Sequence, residues 1–546
     1  MTAPAAVRTA ERGAALQFVN GVVLTMDDRR AVASALAVDG DRIVLVGSDD
    51  EVLATRRPGS RLIDLGGRTV IPGMIDAHTH VELTTYSRHF WTDVRGLSRA
   101  EILALVAELA AKREPGEWIV MQGTFGQDLP DRRELDRAAP DHPVGVRWSM
   151  HKFQLNSAAL AVSGLGRHTV VEPGMRVHRD SSGELTGLVE EGWDLLAWSA
   201  PLRDALRPAI AETLTELFLR NGVTSIGEVA ASATGVRVYQ DLARTRNFPR
   251  IRLALTAAPG HQPLVDAHAF SGLGFETGFG DPHCQIQAVK IFMDGGRDGA
   301  FRSNGIGGPA ESWGLLSRTL PELTGELAAA MDGGVQVWVH AIGDLAQEVA
   351  VSAIEQAARS RATTEHRFRV EHFGNEMYAG ARMRRLVDAG GIPVPNPGFI
   401  YAEPDDPGRR LPPGTRKYGL RTLRSLTGLL PGNSDTAGAQ PFTCNPWFVM
   451  QSMIQRRNKN GVVIDPEEAV GIDEALASFT RDAAFATCQE KDKGTLEAGK
   501  LADFAVLDAD PRSTPVERLD AMTTAATVIG GRVVYGVLPG EWAEET

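Results

Sequence analysis

Val70-Ile71-Pro72-Gly73-Met74-Ile75-Asp76-Ala77-His78-Thr79-His80 is the stretch on which the reading of this chain turns. An apolar strand runs into two histidines one residue apart. Side chains alternate across a strand, so His78 and His80 share a face and both imidazoles can reach one ion. Two core or surface histidines that happen to alternate would look the same. The rest of the chain has to decide.

Working outward, β-rich segments alternate with amphipathic ones, the pattern of a parallel α/β fold. Strands are predicted at 69–75, 223–228, 251–255, 286–293, 335–340, 368–372, 391–394 and 427–433. Helices are predicted at 99–112, 208–220, 321–332, 344–359 and 472–485. Eight strands suit a closed (β/α)8 barrel of the TIM type. The stretch from about 93 to 208, between the first two strands, far exceeds a βα loop of about 2–6 residues. It reads as a large inserted subdomain on the C-terminal face, placed to wall a substrate pocket. Residues 1–70 and 488–546 share a texture of short strands and turns, among them Asn20-Gly21, Gly66-Gly67 and Gly530-Gly531. Neither end has strands enough for a stable sheet. Both are therefore expected to meet in one small β-sandwich domain, with 71–487 as the barrel.

Composition narrows the function classes. The 546 residues carry 57 Lys+Arg against 69 Asp+Glu, a formal charge of −12. Such a chain gains little from counterion release on a phosphate backbone, which argues against nucleic acid as a partner. Cys284, Cys444 and Cys488 are odd in number and widely spaced, so neither a disulfide framework nor a CxxC zinc site is expected. No apolar run approaches the ~20 residues that span a bilayer, and the N-terminus lacks a signal-peptide core. A cytoplasmic protein without a membrane partner is the expectation, as a homo-oligomer and in the first instance a dimer.

Four more residues join the histidine pair, each at the end of a predicted strand. Lys290 lies inside the apolar run 286–293, where a lysine is costly unless paired or neutralised. His340 closes 335–340, His372 closes 368–372, and Asp435 follows 429–434. Singly, such an Asp is more often a helix cap and such a His a satisfied core residue. Together they fall where the strand ends of a barrel converge, the place where barrel enzymes hold catalytic groups. Nitrogen and oxygen ligands suit zinc first, with manganese, iron or cobalt compatible. Arg297 and Arg302, just beyond the fourth strand, could clamp a substrate carboxylate, and Phe125 could line the pocket. Alternation points Glu371 to the face opposite the ligands. Asp344 could either cap a helix or orient His340.

At these residues the chain resembles the amidohydrolase superfamily, in its YtcJ-like branch that includes N-substituted formamide deformylases. The resemblance rests on PGMIDAHTH at 72–80, ELDRAAPDHPV at 134–144, HKFQLNSAAL at 151–160 and RDSSGELTGLVEE at 179–191. VKIFMDGG at 289–296, HAIGD at 340–344, RVEH at 369–372 and GTLEAGKLADFAVLD at 494–508 extend it over nearly the whole chain. It implies that CO₂ carbamylates Lys290 to make a carboxylate bridging two divalent ions. His78 and His80 would hold one ion and His340 and His372 the other, with Asp435 near the first. Two such ions share and activate a water, and Asp435 shuttles its proton to the leaving amine. His151 and Asn156 match a recurring element of the branch and could reach the substrate. Thr436-Ala437 replaces the branch's usual Trp-Pro, and Leu345 its usual Arg, so substrate identity does not carry over.

The expected activity is hydrolysis of a non-peptide C–N bond in a small-molecule amide, N-acyl, N-formyl or cyclic. A mononuclear deaminase of the same superfamily is the alternative within enzymes, and Lys290 argues against it. A non-catalytic scaffold would be expected to lack a ligand, and none of the six is missing.

Overall fold

Gly73 divides the opening motif. In the computed structural model Thr69–Pro72 belongs to one sheet and Met74–Thr79 begins another, where a single strand over 69–75 was predicted. Any side chain at Gly73 would collide with Thr224, 2.2 Å from the position of a Cβ. The structure describes residues 14–538, apart from 125, 259, 273, 304–312, 379, 406–410, 412–413 and 438–439.

From Met74 a curled parallel sheet of seven strands is laid down in chain order. The strands are Met74–Thr79, Val223–Ala230, Arg250–Thr256, Cys284–Phe292, Gln336–His340, Arg369–Glu371 and Ile392–Val394. Helices pack outside it by their apolar faces. Ala233–Thr245 shows how: Ser232 caps it by accepting from the Gly235 amide, Val238, Tyr239 and Leu242 are buried, and Arg246 ends it in the left-handed region at φ 58°. The inner face of the sheet is filled by large side chains. Trp338 is wholly buried there, and a Cβ on Gly227 would come within 2.9 Å of its ring.

The predicted eighth strand at 427–433 is not regular. Leu420–Thr427 is helix, ended by Gly428 at φ 70°. The following segment runs beside the first strand instead. Ala77 donates to the Gly432 carbonyl, Asp435 to that of His78, and His80 to that of Thr436. Toward the seventh strand the closure is made by side chains: Asn433 Nδ2 donates to the Pro395 carbonyl, and Asn396 Nδ2 to Asn433 Oδ1. The asparagine bonds take the place of a backbone ladder there.

Between the first and second barrel strands, residues 92–190 carry their own six-stranded sheet with two small apolar cores. The chain ends build two further sheets. Ala14–Val19 pairs with Ala35–Asp39 and Arg56–Asp64, while Thr69–Pro72 pairs with Val22–Leu24 and Phe504–Leu507. Phe18, Leu36 and Val38 of one sheet pack against Val70, Phe504 and Val528 of the other. Among the described residues no helix is long and apolar enough to cross a membrane.

A buried ion pair fastens the C-terminal strands to the barrel. Arg250 donates to both oxygens of Asp503 at 2.6 and 2.9 Å, and both side chains are 1% exposed. Burial raises the Asp503 pKa, but Arg250 more than offsets it and leaves the carboxyl below its ordinary value. Removing one partner of such a pair strands a buried charge, so Asp503→Asn is expected to cost about 3 kcal/mol, read as a lower urea midpoint. Because the folded carboxyl titrates below the free one, the pair stabilises fully above the unfolded carboxyl's pKa, and its contribution is lost as pH falls from there through the lowered folded pKa. An unchanged midpoint would show that the pair does not hold the two parts together.

Candidate metal centre

At the C-terminal mouth of the curled sheet five imidazoles form a row. Successive ring centroids are 5.4 Å apart for His151–His340, 4.3 Å for His340–His372, 6.1 Å for His372–His78 and 5.2 Å for His78–His80. Four of these are the histidines expected as ligands, the fifth, His151, is the one expected to reach the substrate, and all are buried. Asp435 stands against the row. Its oxygens lie 3.3 Å from His80 Nε2, 3.6 Å from His78 Nε2 and 3.7 Å from His372 Nδ1. These gaps are long for hydrogen bonds. Two ligands each about 2.1 Å from a shared tetrahedral ion stand about 3.4 Å apart, which matches the His80 and His78 gaps; His372 Nδ1 is engaged by Asn396 instead.

The backbone is strained where the row is built. His372 and Asp435 adopt φ of 69° and 43°, in the left-handed region that ordinary residues avoid. Each such residue costs on the order of 1–3 kcal/mol, and such strain gathers at functional sites. At His372 the consequence is specific. Alternation along Arg369–Glu371 would send His372 and Glu371 to opposite faces; the left-handed turn brings both inward.

Glu371 is therefore part of the site, contrary to the expectation from alternation. His78 Nδ1 lies 2.5 Å from Glu371 Oε2, and Arg369 donates to both Glu371 oxygens at 2.7 and 2.9 Å. The Arg369 guanidinium lies over the Trp338 ring at 3.8 Å and also donates to the Ala77 carbonyl. His372 Nδ1 is 2.7 Å from Asn396 Oδ1, and His340 Nε2 is 3.3 Å from the Gly295 carbonyl. Each of these three rings thus has one nitrogen fixed, which sets its tautomer and leaves the other for a ligand. Asp294 Oδ1 is 3.5 Å from His340 Nε2, and the same carboxyl accepts from the amides of Phe301, Ile342 and Gly343. It holds the loop beside His340, whereas Asp344 accepts from the Ser303 amide.

Two buried atoms here make no hydrogen bond: His78 Nε2 and Lys290 Nζ. Nζ lies 4.8 Å from the Phe292 ring centre, and burial lowers its pKa to about 8. Burial is likewise the main reason all four imidazoles titrate below their ordinary range, His372 at about 4. Burial opposes ionisation of Asp435, but the surrounding imidazoles hold its pKa low. Neutral imidazoles and an ionised carboxylate are the protonation states a divalent ion requires. The donor set fits one.

Beside the row opens a chamber lined by His151, His372, Asp435, Phe399 and Tyr418 among others. Arg297 lines it and donates to Glu403 at 3.0 Å. Arg302 is 3% exposed and grips Glu376 through Nε and Nη2, while Lys417 bridges Glu376 and Glu403. Both arginines thus have carboxylates of the chain as partners. Asn156 is fully engaged elsewhere: it accepts from Ala159 and Val144 and donates to Ala139 and His142, capping the helix Ser157–Val162. Phe125 lies outside the described residues. The sequence reading passed over Asp294, Glu191, His261 and Asn396. Asp294 and Glu191 stand within quoted motifs, but nothing local marks the others.

A mouth of imidazoles, a buried lysine and a carboxylate on a curled parallel sheet defines the class of metal-dependent hydrolases. The chain belongs to the amidohydrolase family, whose model matches residues 61–535. It is similar to the N-substituted formamide deformylase of Arthrobacter pascens, 27% identical over 95% of this chain and 98% of that one. It is also similar to the putative amidohydrolase YtcJ of Bacillus subtilis (strain 168), 27% identical over 94% and 98%. A solved structure of an uncharacterized metal-dependent hydrolase from Pyrococcus furiosus superposes with a TM-score of 0.68 at 25% identity, covering 91% of this chain and all of that one.

Partners that orient metal-ligating histidines typically change metal affinity 10–100-fold when removed. Glu371→Gln is accordingly expected to weaken zinc binding by about that factor, measured by competition with a chelator. Native affinity in the variant would separate Glu371 from metal binding.

Proposed function

We propose that this chain hydrolyses a non-peptide C–N bond in a small amide, N-formyl or N-acyl and open to cyclic forms. The observation that carries the reading is the gathering of His78, His80, His340, His372 and Asp435 at one mouth, with His78 Nε2 and the Lys290 amine of the fourth strand buried and without hydrogen-bond partners. The similarity to a formamide deformylase over 95% of the chain supports the choice of an amide.

In this reading His78 and His80 hold one divalent ion and His340 and His372 a second, with zinc the first choice. Lys290 would join them as a carbamate: the neutral amine nitrogen bonds to the carbon of CO₂, one C–O π bond opens to a carboxylate oxygen, and one N–H proton passes to solvent, leaving –NH–COO⁻. That step resolves the cost of an unpaired lysine in the barrel interior. When bound, the ions would lower the pKa of water and polarise the substrate carbonyl. Asp435 supplies the proton traffic. Buried, ionised and facing the chamber, it accepts the proton of the attacking water and returns it to the nitrogen as the C–N bond breaks. The carbonyl carbon leaves as a carboxylic acid and the nitrogen as an amine.

The test is a screen of formanilide, acetanilide and 2-pyrrolidinone with zinc, manganese or cobalt added to the purified protein. Turnover of at least one is expected, with Asp435→Asn losing about 100-fold or more while retaining its metal. Metal retention with no amide hydrolysed would contradict the substrate class. Full turnover in Asp435→Asn would remove the proton role.

A further inference from the structure

A second group of ionisable side chains lies against the row, and neither the metal ligands nor Asp435 accounts for it. Glu191, 5% exposed, accepts from three directions. Its Oε2 lies 2.9 Å from His151 Nδ1 and 2.9 Å from His261 Nε2, and its Oε1 accepts from the Gly296 amide at 2.8 Å. These partners come from three separate parts of the chain. His151 and Glu191 belong to the 92–190 segment and its end, His261 follows the third barrel strand, and Gly296 follows the fourth. The backbone is shaped for the contact. Glu191 has φ 50°, and a Cβ at Gly260 would fall 1.9 Å from the Glu191 carbonyl oxygen.

The spacing distinguishes this cluster from the candidate metal centre. Asp435 lies 3.3 and 3.6 Å from His80 and His78 Nε2, as for ligands of a shared ion. Around Glu191 both gaps are 2.9 Å, the length of direct hydrogen bonds. A carboxylate takes both contacts as acceptor, so both histidines donate. In its neutral form His151 then carries its hydrogen on Nδ1 and its lone pair on Nε2. Nε2 has no partner among the described residues, and His151 lines the chamber together with His372 and Asp435. The ring stands beside His340, at the end of the row away from His80. His261 is clamped as well, stacked on Phe292 at 3.9 Å with 9° between planes.

We propose that Glu191 is a positioning residue that fixes His151 with Nε2 turned to the chamber, where it accepts the N–H of a secondary amide substrate. A lone pair held in a buried pocket selects for a donor, and the amide N–H is the donor complementary to it. The inference deepens the amide reading and rests on it for the substrate. A tertiary amide such as N-methylformanilide lacks the donor and would leave the nitrogen unpaired, so the site should prefer formanilide by about tenfold or more.

The experiment compares kcat/KM for formanilide and N-methylformanilide in the native protein, His151→Phe, Glu191→Gln and the double variant. Phe keeps the ring's bulk, so any steric part of the preference survives in it. Glu191→Gln replaces one acceptor oxygen with a donor and so misorients at least one of the three contacts. The preference is expected to fall in each single variant and to fall no further in the double, with metal content unchanged throughout. An undiminished preference in His151→Phe, or independent losses multiplying in the double variant, would overturn the assignment. Selective ¹⁵N labelling of histidine gives a readout that needs no turnover. His151 should be protonated on Nδ1 in the native protein, and finding the proton on Nε2 would overturn the proposal. A third divalent ion per chain, lost in His261→Gln, would do the same by showing a metal site instead. If none of formanilide, acetanilide and 2-pyrrolidinone is hydrolysed, the amide reading fails and the N–H contact fails with it, while the tautomer still decides the role of Glu191; if acetanilide is turned over and formanilide is not, the same comparison is made between acetanilide and its N-methyl form.

Discussion

The arrangement depends on one buried contact, the hydrogen bond between His78 and Glu371 across the interior of the sheet. The sheet is not closed by a regular eighth strand, so something else must hold its first and sixth strands in register across the open side. Arg369 and Glu371 do this, reaching the Ala77 carbonyl and the His78 ring from the far side. A carboxylate and a guanidinium with no access to water are tolerable only because each satisfies the other and both are committed to further partners. The same contact sets the His78 ring. Closure of the fold and orientation of a candidate ligand are one interaction.

Much of this was legible because it is written locally. Alternation put His78 and His80 on one face, and Lys290 stood out as a charge inside an apolar run. The strand–helix rhythm located six barrel strands to within a couple of residues, while the first was placed five residues early, on the strand that joins the terminal sheet. What could not be read depends on departures from regular geometry or on distant partners. The left-handed φ at His372 reverses the face on which Glu371 was expected. Gly428 ends a helix where a strand was expected, and asparagine side chains make the closure. Arg297 and Arg302 looked available to a substrate because their carboxylate partners, Glu403 and Glu376, lie 106 and 74 residues away. Asn156 falls in a motif that also encodes a helix cap. Residue pattern alone does not separate the two uses.

The segment between the first two barrel strands does more than extend the chain. It delivers His151 to the chamber and Glu191 to the loops that follow the third and fourth strands. Arg147 of the same segment donates to the Ala437 carbonyl, beyond Asp435. Contacts at several places around the mouth fix it relative to the row of imidazoles. The chemistry of the barrel and the selectivity of the chamber thus come from different parts of the sequence, joined through buried polar contacts.

The central claim is that Lys290 completes a metal-holding set by taking up CO₂. The most direct measurement is a ¹³C NMR spectrum of the zinc-loaded protein equilibrated with ¹³C-labelled bicarbonate. The account predicts a carbamate carbonyl resonance in the native protein that is absent from Lys290→Ala, together with a drop in bound metal. A native protein that holds zinc with no such resonance, or a variant with undiminished metal, would contradict it.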